Sequence, residues 1–287
     1  MFALTACGKG FTPAAYQDSI SGGPAVVNCG PNNPYCSTHF VFGTLGDSIS
    51  RGFDIKTFGQ EDTLDNWSSG LSLAGSQINL LGGLFSQQGW SVTAEVHNLA
   101  VTGQTVTGSN SQFLDDATQM ASYNPDYVTL LIGSNDVCKG LVTDAVTQES
   151  FRAKVFQALS ALANGTHPPK VIAVSSIPHI FNLSLIPALA NSSTCPTAWN
   201  LLCPNMSIGQ AAFDQQWTMA NQAIADAAAA VGGPVIYDGG AVAATNFTAD
   251  DVSTLDCFHP SATGQTKLAN TVWQQVVGAV QTKIINQ

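Results

Sequence analysis

Tyr127-Val-Thr-Leu-Leu-Ile132, closed by Gly133-Ser134-Asn135-Asp136, is the stretch on which the fold turns. An unbroken run of apolar, aromatic and β-branched residues ending at a glycine suits a strand buried on both faces, as in a parallel sheet covered by helices. Working outward, the same pattern recurs. His39-Phe-Val-Phe-Gly-Thr-Leu45 runs into Gly46, Ser91 to His97 alternates like a strand, and Val171 to Val174 and Val235-Ile-Tyr237 are short apolar runs. Helix-period segments lie between them. These are residues 67–88, with Leu71, Ile78, Leu81 and Leu84 loosely spaced; Gln112 to Tyr123; and Ser150 to Ala163, with Phe151, Val155, Phe156, Leu159 and Leu162 on one face. The Ala-rich segment Met206 to Val231, stopped by Gly232-Gly233-Pro234, and Ala262 to Ile285 complete the set. Residues 178–205 read as a long loop. Five strands alternating with helices predict an α/β domain with a mostly parallel sheet over residues 39–287. An irregular arm rich in Gly, Pro, Asn and Ser precedes it, residues 1–38.

Composition narrows the function classes. Of 287 residues, 45% are hydrophobic, which excludes an intrinsically disordered chain. Charged residues are only 10%, against roughly a quarter in ordinary soluble proteins, so surface polarity falls to Ser, Thr, Asn, Gln and Gly, a habit common in secreted proteins. With 9 basic and 19 acidic residues the net charge is −10, which argues against nucleic acid or anionic lipid as a partner. No apolar run reaches the length of a membrane-spanning helix.

Seven cysteines are present and none has the C-x-x-C spacing of zinc ribbons or redox motifs, so no metal centre is expected. Two pairs are close in turn-rich sequence, Cys29 with Cys36 and Cys195 with Cys203. Each can close a short disulfide loop in an oxidising compartment, buried free thiols being the alternative. Leu4-Thr5-Ala6-Cys7 before Gly8 resembles a bacterial lipobox, in which the cysteine is lipidated, although almost no apolar stretch precedes it. Either the start is truncated or the match is accidental; if it is real, Cys7 tethers the domain to a membrane. Six Asn-x-Ser/Thr sequons leave the source open, because chance supplies several in a chain of this composition.

In open parallel sheets ligands bind beyond the carboxyl ends of the strands, and the chemistry-bearing residues gather there. Gly46-Asp47-Ser48-Ile49-Ser50 follows the first strand, where a tight turn can present a serine hydroxyl. Asn98-Leu99-Ala100-Val101-Thr102-Gly103 follows the second, and a glycine lets a backbone N–H approach a ligand closely. Asn135 follows the third, a fixed uncharged donor of the kind a developing oxyanion needs. Asp256-Cys257-Phe258-His259-Pro260 precedes the last helix, an acid spaced to reach the far nitrogen of the imidazole. Singly, each has a plain reading as a turn serine, a loop glycine, an Asx turn or a surface histidine.

In this order the four motifs resemble the SGNH hydrolases, the GDSL esterase/lipase family, over roughly Phe40 to Ile285, with GDSI in place of GDSL. The resemblance implies a flavodoxin-like three-layer α/β/α sandwich around a central five-stranded parallel sheet. It also implies cofactor-free ester hydrolysis through an acyl-enzyme. Ser48 would be the nucleophile, His259 the general base and Asp256 its orienting acid. The Ser48 and Gly103 N–H groups with the Asn135 side chain would form the oxyanion hole. Asn135-Asp136-Val137-Cys138 and Asp256 to Ser261 are similar to stretches of phospholipase B-like members and acyloxyacyl hydrolases, and Asn66-Trp67-Ser68-Ser69-Gly70 to a Trp-Ser-containing stretch of phospholipase B-like proteins. Because Cys138 and Cys257 adjoin the two motifs, a bridge between them is expected to clamp the Asn loop to the His loop. Trp67 is either a core aromatic or a substrate contact. A lipid ester is the favoured substrate, with a short-chain or carbohydrate ester, or acyl transfer to another alcohol, as alternatives. A non-catalytic binding module is disfavoured because Ser, Asn and His are all present. The expected setting is a secreted or extracytoplasmic monomer.

Overall fold

The computed structural model describes residues 17–19, 40–90 and 92–286. Strands β1 (Gln17–Ser19), β2 (Phe40–Gly46), β3 (Ala94–Asn98), β4 (Tyr127–Leu131), β5 (Val171–Val174) and β6 (Val235–Tyr237) form one sheet in the order β1-β3-β2-β4-β5-β6. Strands β2 to β6 are parallel throughout and follow the flavodoxin-like order, whose switch point falls between β2 and β4. The five-stranded parallel sheet expected from the sequence is therefore present. β1 adds an antiparallel edge, with Gln17 opposite His97 and Ser19 opposite Glu95. It lies in the segment read as irregular, and three residues are too few to display a strand period.

The helices are α1 (Ser48–Arg51), α2 (Gln77–Gln87), α3 (Phe113–Ser122), α4 (Ser134–Cys138), α5 (Ala145–Ala163), α6 (Pro187–Ala190), α7 (Cys195–Leu202), α8 (Gln210–Val231) and α9 (Ala262–Val280). Strand alternation divides the core into two layers. Val128, Leu130, Ile172 and Val174 pack with α3, α5 and α8 on one face. Tyr127, Leu131, Val171 and Ala173 pack with α2 and α9 on the other. Both faces are covered, so β4 and β5 read as continuous apolar runs. Among the described residues no helix is long and apolar enough to cross a membrane.

Several helices depart from the periodicity, α8 among them, which begins at Gln210 rather than Met206. α2 begins only at Gln77, because Asn66 accepts the Ser68 and Ser69 N–H groups on its Oδ1 at 2.9 and 2.8 Å and holds 66–70 as a turn. That turn buries Trp67 completely, its Nε1–H donating to Ser50 Oγ at 3.1 Å, which makes it a core aromatic. α5 starts earlier, at Ala145, since Asp144 and Thr147 form a reciprocal capping box. Residues 178–208 hold α6, α7 and two short 3₁₀ turns rather than an open loop.

The cysteine pairing also differs. The bridges are Cys138–Cys203 and Cys195–Cys257, not Cys195–Cys203 and Cys138–Cys257. Cys195 opens α7 and Cys203 caps its other end, so the helix holds them roughly 12 Å apart at its rise per residue, beyond the reach of a disulfide. Cys7 and the pair Cys29–Cys36 lie outside the described residues.

Candidate active site

The nucleophile candidate sits where β2 turns into α1. Gly46, at φ 148°, makes that turn possible: a Cβ there would stand 2.3 Å from the carbonyl oxygen of Leu131. Asp47 caps α1 by accepting the Ile49 N–H at 3.0 Å, and Gly52 ends the helix in a left-handed conformation. Gln265 of α9 secures this short element from behind, its Nε2 donating to Ile49 O at 3.0 Å while its Oε1 accepts the Trp67 N–H at 2.9 Å. Ser48 opens the helix, so its N–H has no intrahelical partner and stays available to a ligand.

Two hundred and eleven residues further on, the imidazole meets this serine. The Ser48 hydroxyl donates to His259 Nε2 at 2.8 Å, and His259 Nδ1–H donates to Asp256 Oδ2 at 2.5 Å, with both partners of the second bond buried. Asp256 Oδ1 also accepts the N–H groups of Phe258 at 2.9 Å and His259 at 3.0 Å. Burial pushes the Asp256 carboxyl up, but the imidazole and these donors outweigh it and hold the group below the usual range. The ring is wedged between Phe53 and Phe258, at centroid distances of 5.0 and 5.1 Å. An anionic Asp256 bonded to Nδ1 fixes the tautomer that leaves Nε2 free to take a proton.

Asn135 lines the same pocket as Ser48 and His259, and its side-chain amide makes no hydrogen bond to another described residue. Its neighbour Asp136 is buried and accepts the N–H groups of Val106 at 2.8 Å and Thr107 at 3.0 Å, tying the Asn loop to the loop that follows β3. Gly103, on that second loop, takes φ 80°, and Lys139 Nζ donates to its carbonyl at 3.0 Å. It is exposed and does not line the pocket. Asp47 is buried, which pushes its carboxyl up to about 6, and its Oδ2 and the Ser134 Oγ are both without a hydrogen bond among the described residues.

The two disulfides shape this region. Cys138–Cys203 joins α4, which carries Asn135, to the end of α7, and Cys195–Cys257 joins the start of α7 to the His259 loop. Trp199 of α7 donates from Nε1 to Cys257 O at 2.7 Å. Helix α7 is thus a strut bolted to both loops, where a direct bridge between them was expected.

The pocket beside Ser48 is a cleft open to solvent. Ile49, Ile180, Leu183, Phe247, Val252 and Phe258 supply mostly apolar walls, and His179 and Asp251 add polar edges. The residues from the 178–208 segment carried no sequence signal, because they lie on irregular turns with no period. Asp54, Asp256 and His259 each bring one potential ligand atom within 4.8 Å of the others. Both ring nitrogens of His259 and both oxygens of Asp256 are already engaged, so the trio offers an ion no coherent set of lone pairs.

The sequence model of the GDSL-like Lipase/Acylhydrolase family matches residues 44–267, well over half of the chain. No curated protein sequence matches significantly. Among solved structures, the fold is similar to a carbohydrate acetylesterase family member from Sinorhizobium meliloti, with 15% identity, TM-score 0.52 and coverage of 85% of this chain and 99% of that one. It is similar also to LAE5, an alpha/beta hydrolase enzyme from the metagenome of Lake Arreo in Spain, with 17% identity, TM-score 0.51 and coverage of 83% and 95%. A lipase/acylhydrolase from Enterococcus faecalis has 15% identity, TM-score 0.50 and coverage of 83% and 96%. At such identities these likenesses speak to the fold alone. With the family match spanning the strand-end motifs and reaching the first turns of the last helix, the chain belongs to the GDSL-like lipase/acylhydrolase family of carboxylic ester hydrolases.

Proposed function

We propose that Ser48 is the nucleophile, His259 the general base and Asp256 its orienting acid in the hydrolysis of esters with an extended apolar acyl group, lipid esters foremost. The observation that carries the substrate reading is the apolar wall beside the Ser48 hydroxyl, formed by Ile49, Ile180, Leu183, Phe247, Val252 and Phe258. Motif likeness to phospholipase B-like proteins supports the same substrate class. Ser48 Oγ attacks the ester carbonyl as its proton passes to His259 Nε2, and the imidazolium is stabilised by Asp256. The Asn135 amide and the Ser48 N–H receive the developing oxyanion; Gly103, the third donor that the resemblance implies, lies on an exposed loop outside the pocket lining and is not needed for this reading. His259 then protonates the leaving alcohol, and water activated by the same imidazole releases the acid. Two disulfides fit an oxidising, extracytoplasmic setting, where a lipid on Cys7 would keep the enzyme near its substrate.

Hydrolysis of para-nitrophenyl esters of graded length tests the substrate class. Each buried methylene contributes up to about 0.8 kcal/mol, so kcat/KM for octanoate is expected to exceed that for acetate by at least about tenfold. A preference for acetate, repeated on acetylated sugars, would replace the lipid reading with that of a short-chain or carbohydrate esterase. Asn135→Ala is expected to lower kcat by about 10²–10³-fold. Unchanged kcat would remove the Asn135 amide from the oxyanion hole.

A further inference from the structure

A carboxyl group that the reaction above leaves unused stands behind the Asp–His pair. Asp54 follows α1 on a loop that starts at Gly52, and its backbone is held in the left-handed region at φ 57°. It is only 2% exposed. Its Oδ1 accepts the Gly59 N–H, and its carbonyl accepts the Ser253 hydroxyl at 2.5 Å, which ties this loop to the one carrying Asp256. One oxygen of Asp54, one of Asp256 and one ring nitrogen of His259 lie within 4.8 Å of one another. A buried acid at that distance from a carboxylate has two states with different consequences. It either holds a proton and donates it in a hydrogen bond to Asp256, or it is ionised and adds a second negative charge beside the ring.

We propose that Asp54 is a positioning residue for the same reaction, acting through Asp256. Ionised, it strengthens the negative field that stabilises the His259 imidazolium. Protonated, it hydrogen-bonds to Asp256 and draws charge away from the bond that Asp256 makes to Nδ1. The proposal rests on the reading of Ser48 and His259 as nucleophile and base.

Burial, with Asp256 alongside, pushes the Asp54 carboxyl up to about 6 even though the Gly59 N–H opposes it. The charged groups facing it across the loops are Asp256 and His259. Those of its own segment are engaged elsewhere, Arg51 with Glu61 and Lys56 with Asp62 and Asp65. On the next helix Lys267 pairs with Asp251. Asp47, on the other side of His259, is also raised to about 6 and remains in every variant considered. The sign follows from the raised value. A carboxyl whose folded-state pKa exceeds its unfolded one stabilises the fold below the unfolded value, and that contribution is lost as pH rises through about 6. Asp54 therefore helps the reaction in the pH range where it costs the fold stability.

The test uses the full chain and para-nitrophenyl octanoate, with kcat and KM measured from pH 5 to 9 for wild type, Asp54→Asn, Asp54→Ser and Ser48→Ala, alongside thermal denaturation at pH 5 and pH 8. Loss of one charge worth about one pKa unit to the imidazolium predicts that Asp54→Asn lowers kcat about tenfold at pH 8 with KM unchanged. At pH 5, where the wild-type group is protonated, the two enzymes should agree within about twofold. The variant should also melt at pH 8 no lower than wild type. Asp54→Ser, which lacks a carboxyl of either form, should lose activity similarly at pH 8 and serves if the Asn variant does not fold. Equal kcat at every pH, or the same fold-loss at every pH with a lowered melting temperature, would overturn the role of Asp54. If Ser48→Ala is inactive while the Asp54 profiles are flat, only this inference fails. If Ser48→Ala stays active, the underlying reading fails and takes the inference with it.

Discussion

Replacing Ser48 with alanine is expected to lower kcat by about 10⁴–10⁶-fold while leaving the fold intact. The exchange removes one oxygen from a residue at the start of α1, where alanine is a good helix former. Among the described residues the hydroxyl's only hydrogen-bond partner is His259 Nε2, at 2.8 Å, so its loss disturbs no structural bond there. Stability should therefore change by less than about 1 kcal/mol. His259→Ala should produce a loss of the same order, and the double variant little more, because the two side chains act as one unit. The oxyanion donors remain in all three, which leaves a residual rate above water of about 10³-fold. Steady-state hydrolysis of an activated ester, with circular dichroism to verify folding, checks this. A Ser48→Ala enzyme with undiminished turnover would eliminate the mechanism.

The second large effect concerns the strut. Converting Cys138 and Cys203 to serine together opens a loop of 65 residues, which in the chain-entropy model costs about 4 kcal/mol. Because the bridge anchors the helix that bears Asn135, activity should fall as well. Displacement of an oxyanion donor by about 1 Å is worth up to roughly 100-fold in rate. The Cys195–Cys257 bridge acts on the other side, at the loop bearing Asp256 and His259, and its removal is expected to mimic the first. Chemical denaturation of the double-serine variants measures the first effect and kcat the second. Peptide mapping under non-reducing conditions should recover 138 joined to 203 and 195 joined to 257. Recovery of a 138–257 peptide instead would refute the strut.

What could be read beforehand, and what could not, follows from where information sits in a chain. Parallel strands are buried on both faces, so β2, β4 and β5 announce themselves as apolar runs, and residues at their carboxyl ends inherit a location. Ser48 and Asn135 could be placed at one rim on those grounds, whereas the Asp256–His259 pair, which precedes α9 rather than ending a strand, was joined to them only by the family resemblance. Cysteine pairing followed the opposite logic. Cys195 and Cys203 are neighbours in sequence yet sit at opposite ends of α7, and a short helix preceded by turn residues is hard to tell from a loop. The segment around Trp67 carried helical spacing, but Asn66 captures two N–H groups that a helix would need. Asp54 gave no signal, because its contact with Asp256 spans some two hundred positions and depends on a left-handed backbone at a residue that rarely adopts one.

The reach of Ser48 toward His259 depends on α1, which is too short to hold itself. Its stability is borrowed from the Asp47 cap, from Gln265 of α9 and from buried Trp67 beneath Ser50. The serine is thus presented by a rigid, buried platform, while part of the pocket wall, Ile180 and Leu183, comes from the irregular segment between β5 and α8, and Phe247, Val252 and Phe258 from the loop between β6 and α9. Such a division lets a fixed reaction centre serve different acyl groups as the outer segment varies.

Covalent capture examines the nucleophile most directly. Incubation with diisopropyl fluorophosphate followed by peptide mass analysis is predicted to place a single phosphoryl adduct on Ser48, in step with loss of esterase activity, and to leave His259→Ala unlabelled on the same timescale. Complete inactivation with Ser48 unmodified, or full labelling of Ser48 with activity intact, would contradict its assignment as the attacking group.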